Sequence, residues 1–136
     1  MKISTPYDAI GGEQVLLNLV DRFYFYMDSL PEAKGIRAIH QYNLSPAKDK
    51  LFKFLSGWLG GPNLFIDEFG HPMLRARHLP FVIGESERDQ WMLCMNKALA
   101  ELGMDPQFKI NIQNALQQLA THMINQVPNQ ESGKVC

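Results

Sequence analysis

No stretch of this sequence stays apolar for the roughly 18 residues that a membrane-spanning helix needs. Met1 is followed by polar residues rather than by the basic and then apolar run of a secretory leader. A soluble, cytoplasmic protein with no membrane partner is therefore expected. An excess of either charge is also missing: 13 Lys and Arg face 14 Asp and Glu, a net charge of −1. That is too weak a positive field to gather phosphates, so nucleic acid is not an expected partner. Two cysteines, Cys94 and Cys136, are too few for a disulfide framework. Cys94 falls in an apolar helical stripe and reads as a small buried hydrophobe in a reducing compartment. There is no strand-like alternation of useful length, no internal repeat and no low-complexity tract, which leaves an all-α class.

What is present is a set of apolar stripes at helical spacing, punctuated by Gly and Pro. With 136 residues, a single domain spanning 1–136 is expected, with its core at about 7–126. The polar end 127–136, which holds Pro128 and Gly133, is expected to fray. Gly11-Gly12 precedes a helix over 13–28 whose inner face carries Leu16, Val20, Phe23, Tyr24 and Met27. Ser45-Pro46 reads as N-cap and first helical residue of a helix over 45–59, with Ala47, Leu51, Phe54, Leu55 and Trp58 inward. The capping pattern from Ser86 to Asp89 opens a helix over 86–102 bearing Trp91, Cys94, Met95, Ala98 and Leu99. Asp105-Pro106 opens a last helix over 106–125. The stretches 32–43 and 63–69 read as irregular. Tyr24 and His40, taken alone, are a core ring and a loop histidine.

One segment fits a plain helical bundle poorly. Between Pro72 and Pro80 there is room for only one or two turns of helix, ending on His78. Pro72 reads as the opening residue, and Pro80 is expected to bias Leu79 out of the helical region. That placement suits an imidazole whose Nδ1–H bonds a carbonyl one turn back, at Leu74, while Nε2 points outward. From the segment alone, a surface histidine beside Arg75 and Arg77 is the simpler reading. A bare metal ion held by His71, His78 and Glu68 lacks the ligand geometry a Pro-broken segment would have to supply. A flat cofactor, by contrast, gives such a short helix a reason to exist.

Taken together and in order, the motifs resemble those of the truncated haemoglobins of the second group. They are Tyr7-Asp8-Ala9-Ile10-Gly11-Gly12, Arg22-Phe23-Tyr24, Phe54-Leu55 with Gly60-Gly61-Pro62, Gly70-His71-Pro72 with Leu74-Arg75, Arg77-His78-Leu79-Pro80-Phe81, and Glu87-Arg88-Asp89 with Trp91. The resemblance covers about Tyr7 to Gln126. It implies a two-over-two helical sandwich around haem b and its iron, in which the helix pair 13–28 and 45–59 crosses the pair 86–102 and 106–125.

By that resemblance His78 is the proximal iron ligand. Tyr24, Trp91 and His40 are the distal polar groups, with Ala47 and Leu51 completing the distal wall. Phe54, Leu74, Phe81 and Ile83 are the apolar haem contacts. Arg77 is placed to reach a haem propionate, and His71 has no ligand role. The resemblance also implies small ligands such as O2, CO and NO, an electron donor it does not name, and room for a homodimer. Several donors around O2 point to retention and redox, peroxidase-like or reactive-nitrogen chemistry, with simple O2 binding, delivery or sensing as the alternative. A haem-free helical interaction module is the reading from another class, distinguished by the lack of a Soret band.

Overall fold

The computed structural model describes residues 5–126, so the expectation for 127–136 lies outside the described residues. The first turn, α1 (Pro6–Ile10), is closed by a capping box: the Thr5 hydroxyl accepts from the Asp8 N–H at 3.1 Å, and Asp8 accepts from the Thr5 N–H. Thr5-Pro6-Tyr7-Asp8 carries the local signal for this turn: a capping hydroxyl, a proline at the first helical position and a carboxylate at the third. Gly11 and Gly12 then take positive φ, and α2 (Gly12–Ser29) follows. A 3-10 turn (Pro31–Ala33) and α3 (Lys34–Ala38) occupy the stretch expected to be irregular.

After α4 (Ser45–Trp58), a short α5 (Leu64–Phe69) forms where none was expected. Six residues are too few for periodicity to speak. Burial decides instead, because Phe65 is buried and its ring meets Phe54 and Phe69. The chain continues through α6 (Leu74–His78), α7 (Glu85–Ala100) and α8 (Pro106–His122). There is no strand among the described residues.

The long helices α2, α4, α7 and α8 make the sandwich, with α2 packed on both α4 and α7, and α7 on α8. Phe23, Leu16, Met27, Met95, Leu99 and Leu116 are fully buried between them. Each contributes about 1.5–3 kcal/mol by leaving water. Cys94 is buried in the same layer, and burial pushes its thiol up to about 11, so it stays protonated and behaves as a hydrophobe.

Several helix starts differ from the sequence reading. Leu44, not Ser45, is the N-cap of α4: its carbonyl accepts the first helical bond, from the Lys48 N–H at 2.9 Å, and Asn43 accepts from the Ser45 N–H at 3.0 Å. In α7 the cap is Gly84, whose N–H donates to Glu87 at 2.7 Å, while Ser86 accepts from Gln90. Asp105 caps α8 as expected, accepting from Phe108 at 3.0 Å. That helix stops at His122, three residues short of the expected end.

The Gly60-Gly61-Pro62 turn is held by Ser56, a fully buried hydroxyl that donates to the Pro62 carbonyl at 2.8 Å. Gly61 lets the Tyr7 ring lie directly on the backbone, since a Cβ there would overlap the ring. Gly61→Ala is expected to lower stability by about 1–3 kcal/mol, the usual cost of overpacking. Denaturant titration of the variant checks it; an unchanged midpoint would show that Tyr7 moves aside freely.

Candidate functional site

The proximal segment is built by local geometry. Met73 caps α6 from the left-handed region (φ 42°), an unusual conformation for a side chain with a Cβ, so the helix opens at Leu74 rather than at Pro72. It ends at His78 as expected, but Leu79 stays helical in φ and ψ; Pro80 simply has no N–H with which to extend the ladder. The His78 Nδ1 lies 2.7 Å from the Leu74 carbonyl. A carbonyl only accepts, so the neutral ring carries its proton on Nδ1 and leaves Nε2 as a bare lone pair.

Long-range bonds lock this segment in place. Asn125 donates to the His78 carbonyl at 3.3 Å and to the Phe81 carbonyl at 2.8 Å, and it accepts from the Ile83 N–H at 3.0 Å. Arg75 donates to the His122 and Ile124 carbonyls just past the last turn of α8. The Arg77 Nη2 donates to the Phe69 and His71 carbonyls, and its guanidinium lies over the Phe65 ring. His71 is exposed, as expected. The Asn125 clamp carries no local sequence signal, because its partners lie more than 40 positions away.

The other wall comes from α2, α3, α4 and α7. Tyr24 is only 5% exposed, and its hydroxyl reaches only the Ala47 carbonyl, at 3.5 Å, the outer edge of hydrogen-bond range. A buried phenol donor is thus almost unspent. Burial raises its pKa well above the ordinary tyrosine range, so it remains a neutral O–H donor. Phe23 props both polar aromatics, meeting Tyr24 edge-on at 4.8 Å and Trp91 at 5.0 Å. The His40 ring stands edge-to-face with Tyr24 at 5.9 Å, its Nδ1 2.9 Å from the Ile36 carbonyl. Burial, and to a lesser degree the charge of Arg37, lower its basicity against the opposing pull of that carbonyl. Ala47, Leu51 and Phe54 are partly buried against the core from α4.

Around α6 the apolar surface is unmatched. No residue of α6 is buried, and α6 is absent from the closely packed helix pairs. Leu79, Phe81 and Val82 stay 57%, 43% and 64% exposed, whereas Ile83 just beyond them is buried. Among the described residues no three His, Cys, Asp or Glu side chains converge on a metal ion, and Glu68 is paired with Lys53. The site therefore suits a flat apolar group that brings its own metal and needs one imidazole.

Two crossed helix pairs with a short histidine-bearing helix standing off from them define a globin. The chain belongs to the bacterial-like globin family, whose sequence profile matches residues 5–125, and its relatives are truncated haemoglobins of group II. It is 42% identical over 123 residues to a group 2 truncated haemoglobin of Bacillus subtilis, covering 90% of each chain. It superposes on the group II 2-on-2 haemoglobin of the plant pathogen Agrobacterium tumefaciens with a TM-score of 0.89 at 43% identity, over 93% of this chain and 98% of that one. It superposes on the truncated oxygen-avid haemoglobin of Bacillus subtilis with a TM-score of 0.82 at 40% identity, over 90% and 100%. The cofactor of the family is haem iron, and the chain is a haem-binding truncated globin. No helix among the described residues is long and apolar enough to cross a membrane.

Asn125→Leu is expected to loosen the proximal segment without unfolding the core. Three hydrogen bonds worth about 1 kcal/mol each are lost, so haem release should quicken by roughly tenfold to a hundredfold. Transfer of haem to an excess of an apoglobin acceptor measures the rate; release at the wild-type rate would mean the clamp does not hold His78.

Proposed function

We propose that the chain is an O2-retaining haem globin that uses the held ligand in redox chemistry, peroxidase-like or directed at reactive nitrogen species, with a separate electron donor. The observation carrying this reading is the buried, almost unspent Tyr24 hydroxyl, on a ring that Phe23 braces together with Trp91. Haem held by one imidazole would supply an iron able to take O2, CO or NO. His78 offers Nε2 to that iron, with its tautomer set by Leu74. Leu51, Phe54, Leu74, Phe81 and Ile83 supply apolar contact for the macrocycle. The Arg77 N–H groups not spent on the Phe69 and His71 carbonyls are available to a propionate.

On the distal side, Tyr24 and Trp91 donate toward the partial negative charge that O2 acquires as a ligand. In a dry pocket such bonds slow release. The oxygen avidity of the Bacillus subtilis relative supports the same reading. Slow release suits chemistry on the ligand; rapid release would instead favour simple O2 delivery or sensing.

The test begins with colour and stability. Haem added to the apoprotein should give a Soret band and raise the thermal midpoint, because a ligand of the native state adds RT ln(1 + [L]/Kd), about 4 kcal/mol at a thousandfold excess over Kd. A colourless protein with an unmoved midpoint would sink the haem reading and leave a helical interaction module.

A further inference from the structure

We infer that His40 enters the distal pocket as a proton acceptor rather than as a hydrogen-bond donor, that its substrate is a protic peroxide, and that Gln90 is the positioning residue that keeps it so. This rests on the haem reading above. The argument starts from the Ile36 peptide. Its carbonyl has no proton to give, so the His40 Nδ1 at 2.9 Å must be the donor, and the neutral ring, which packs edge-to-face with Tyr24, then bears its lone pair on Nε2.

Ile36 is itself fixed from the opposite helix. Its N–H donates to the Gln90 Oε1 at 2.8 Å, and the Gln90 Nε2 donates to the Ser86 hydroxyl at 2.9 Å, which sets the orientation of the amide. Gly35 leaves the room for this contact, since a Cβ there would stand 3.0 Å from the Gln90 amide. A chain of hydrogen bonds thus runs Ser86–Gln90–Ile36–His40, and Gln90 directly precedes Trp91. One side chain of α7 anchors the peptide that orients the imidazole.

The neighbours of His40 favour the neutral ring. Tyr24 on α2 is an uncharged phenol, Gln90 and Trp91 on α7 are uncharged, and Arg37 on α3 brings positive charge. Asp28 is paired with Arg37 at 2.8 Å. No carboxylate is paired with His40 to hold a proton on it among the described residues.

Two donors and one acceptor in one pocket match hydrogen peroxide, which has protons to give as well as oxygens to accept. In the step assigned to His40, one O–H bond of HO–OH breaks and an N–H bond forms at Nε2, leaving hydroperoxide anion and imidazolium. No electron changes hands in that step. Tyr24 and Trp91 then donate to the new negative charge. O2, CO and NO bear no proton and gain nothing from Nε2.

The experiment compares the rate at which hydrogen peroxide alters the Soret band of the ferric holoprotein with the rate of CO association to the ferrous form. General-base assistance is commonly worth 10²–10⁴. His40→Phe is therefore expected to slow the peroxide reaction on the order of a hundredfold more than it slows CO association. Gln90→Met should slow the peroxide reaction selectively, and Gln90→Glu, which keeps an acceptor for the Ile36 N–H, should recover it. The wild-type peroxide rate should fall below the ordinary histidine value of 6.5, and that fall should be missing in His40→Phe. Imidazole nitrogen NMR of the wild-type protein reads the tautomer independently of any variant, with Nδ1 protonated and Nε2 bare at neutral pH. A wild-type protein without a Soret band would overturn the haem reading and this one with it. A Soret band together with unchanged peroxide rates, equal losses in both rates, Gln90→Glu no better than Gln90→Met, or a protonated Nε2 would overturn this inference alone.

Discussion

His78→Gly is expected to bind haem on the order of a hundredfold more weakly than the wild type or worse, with a blunted Soret band that free imidazole partly restores. Loss of a partner one shell further out already costs roughly 10–100-fold at metal sites, so loss of the iron ligand should cost at least as much. The deletion leaves a space of imidazole shape and frees the Leu74 carbonyl, which at present takes the Nδ1–H at 2.7 Å. Exogenous imidazole can occupy that space and give its proton to the same carbonyl, which is why rescue is expected rather than simple loss. His71→Ala is the matched control. His71 is exposed and only its backbone carbonyl is used, by Arg77, so its side chain should be dispensable to within about threefold, less than 0.7 kcal/mol. Spectral titration with haem, with and without imidazole, decides between the two. Should His71→Ala bleach the protein while His78→Gly stays red, the proximal assignment belongs to the other histidine.

Replacing the distal donors should act on release rather than on haem. Tyr24→Phe removes one oxygen from a ring that Phe23 meets edge-on at 4.8 Å, so the packing survives and the donor does not. A hydrogen bond to a charged acceptor is worth about 1.5–3 kcal/mol, so the O2 dissociation rate should rise on the order of tenfold to a hundredfold, and likewise in Trp91→Phe. CO release should change less, because CO gains less negative charge as a ligand. That contrast separates a lost hydrogen bond from a pocket that has merely opened. Two groups that donate to one ligand can compensate for each other, so the double variant must be measured beside both singles. Stopped-flow displacement of O2 is the measurement. Rates unmoved in all three variants would leave the Tyr24 hydroxyl and the Trp91 indole without a role in retention.

Interactions that close within one turn of chain were legible from the residues alone. The Asp105 cap, the stop at His78 and the turn of its Nδ1 toward Leu74 each need only neighbours up to four positions away, and helical geometry fixes those distances. The stripes of α2, α4, α7 and α8 were legible for the same reason, since 3.6-residue periodicity survives whatever lies opposite. Where two local signals competed, as Gly84 with Glu87 did against Ser86 with Asp89, the order along the chain could not say which one closes the helix.

Burial and partners across the fold belong to tertiary structure. The helix α5 forms because Phe65 finds Phe54 on α4, and α8 ends early where Arg75 takes the carbonyls at its terminus. Ile36 meets Gln90 across 54 positions, and Asn125 meets His78 across 47. A polar side chain on a helix surface looks the same in sequence whether it ends in water or on a distant backbone amide. Only the packing of the helices chooses between them, by fixing which groups lose water and must find each other.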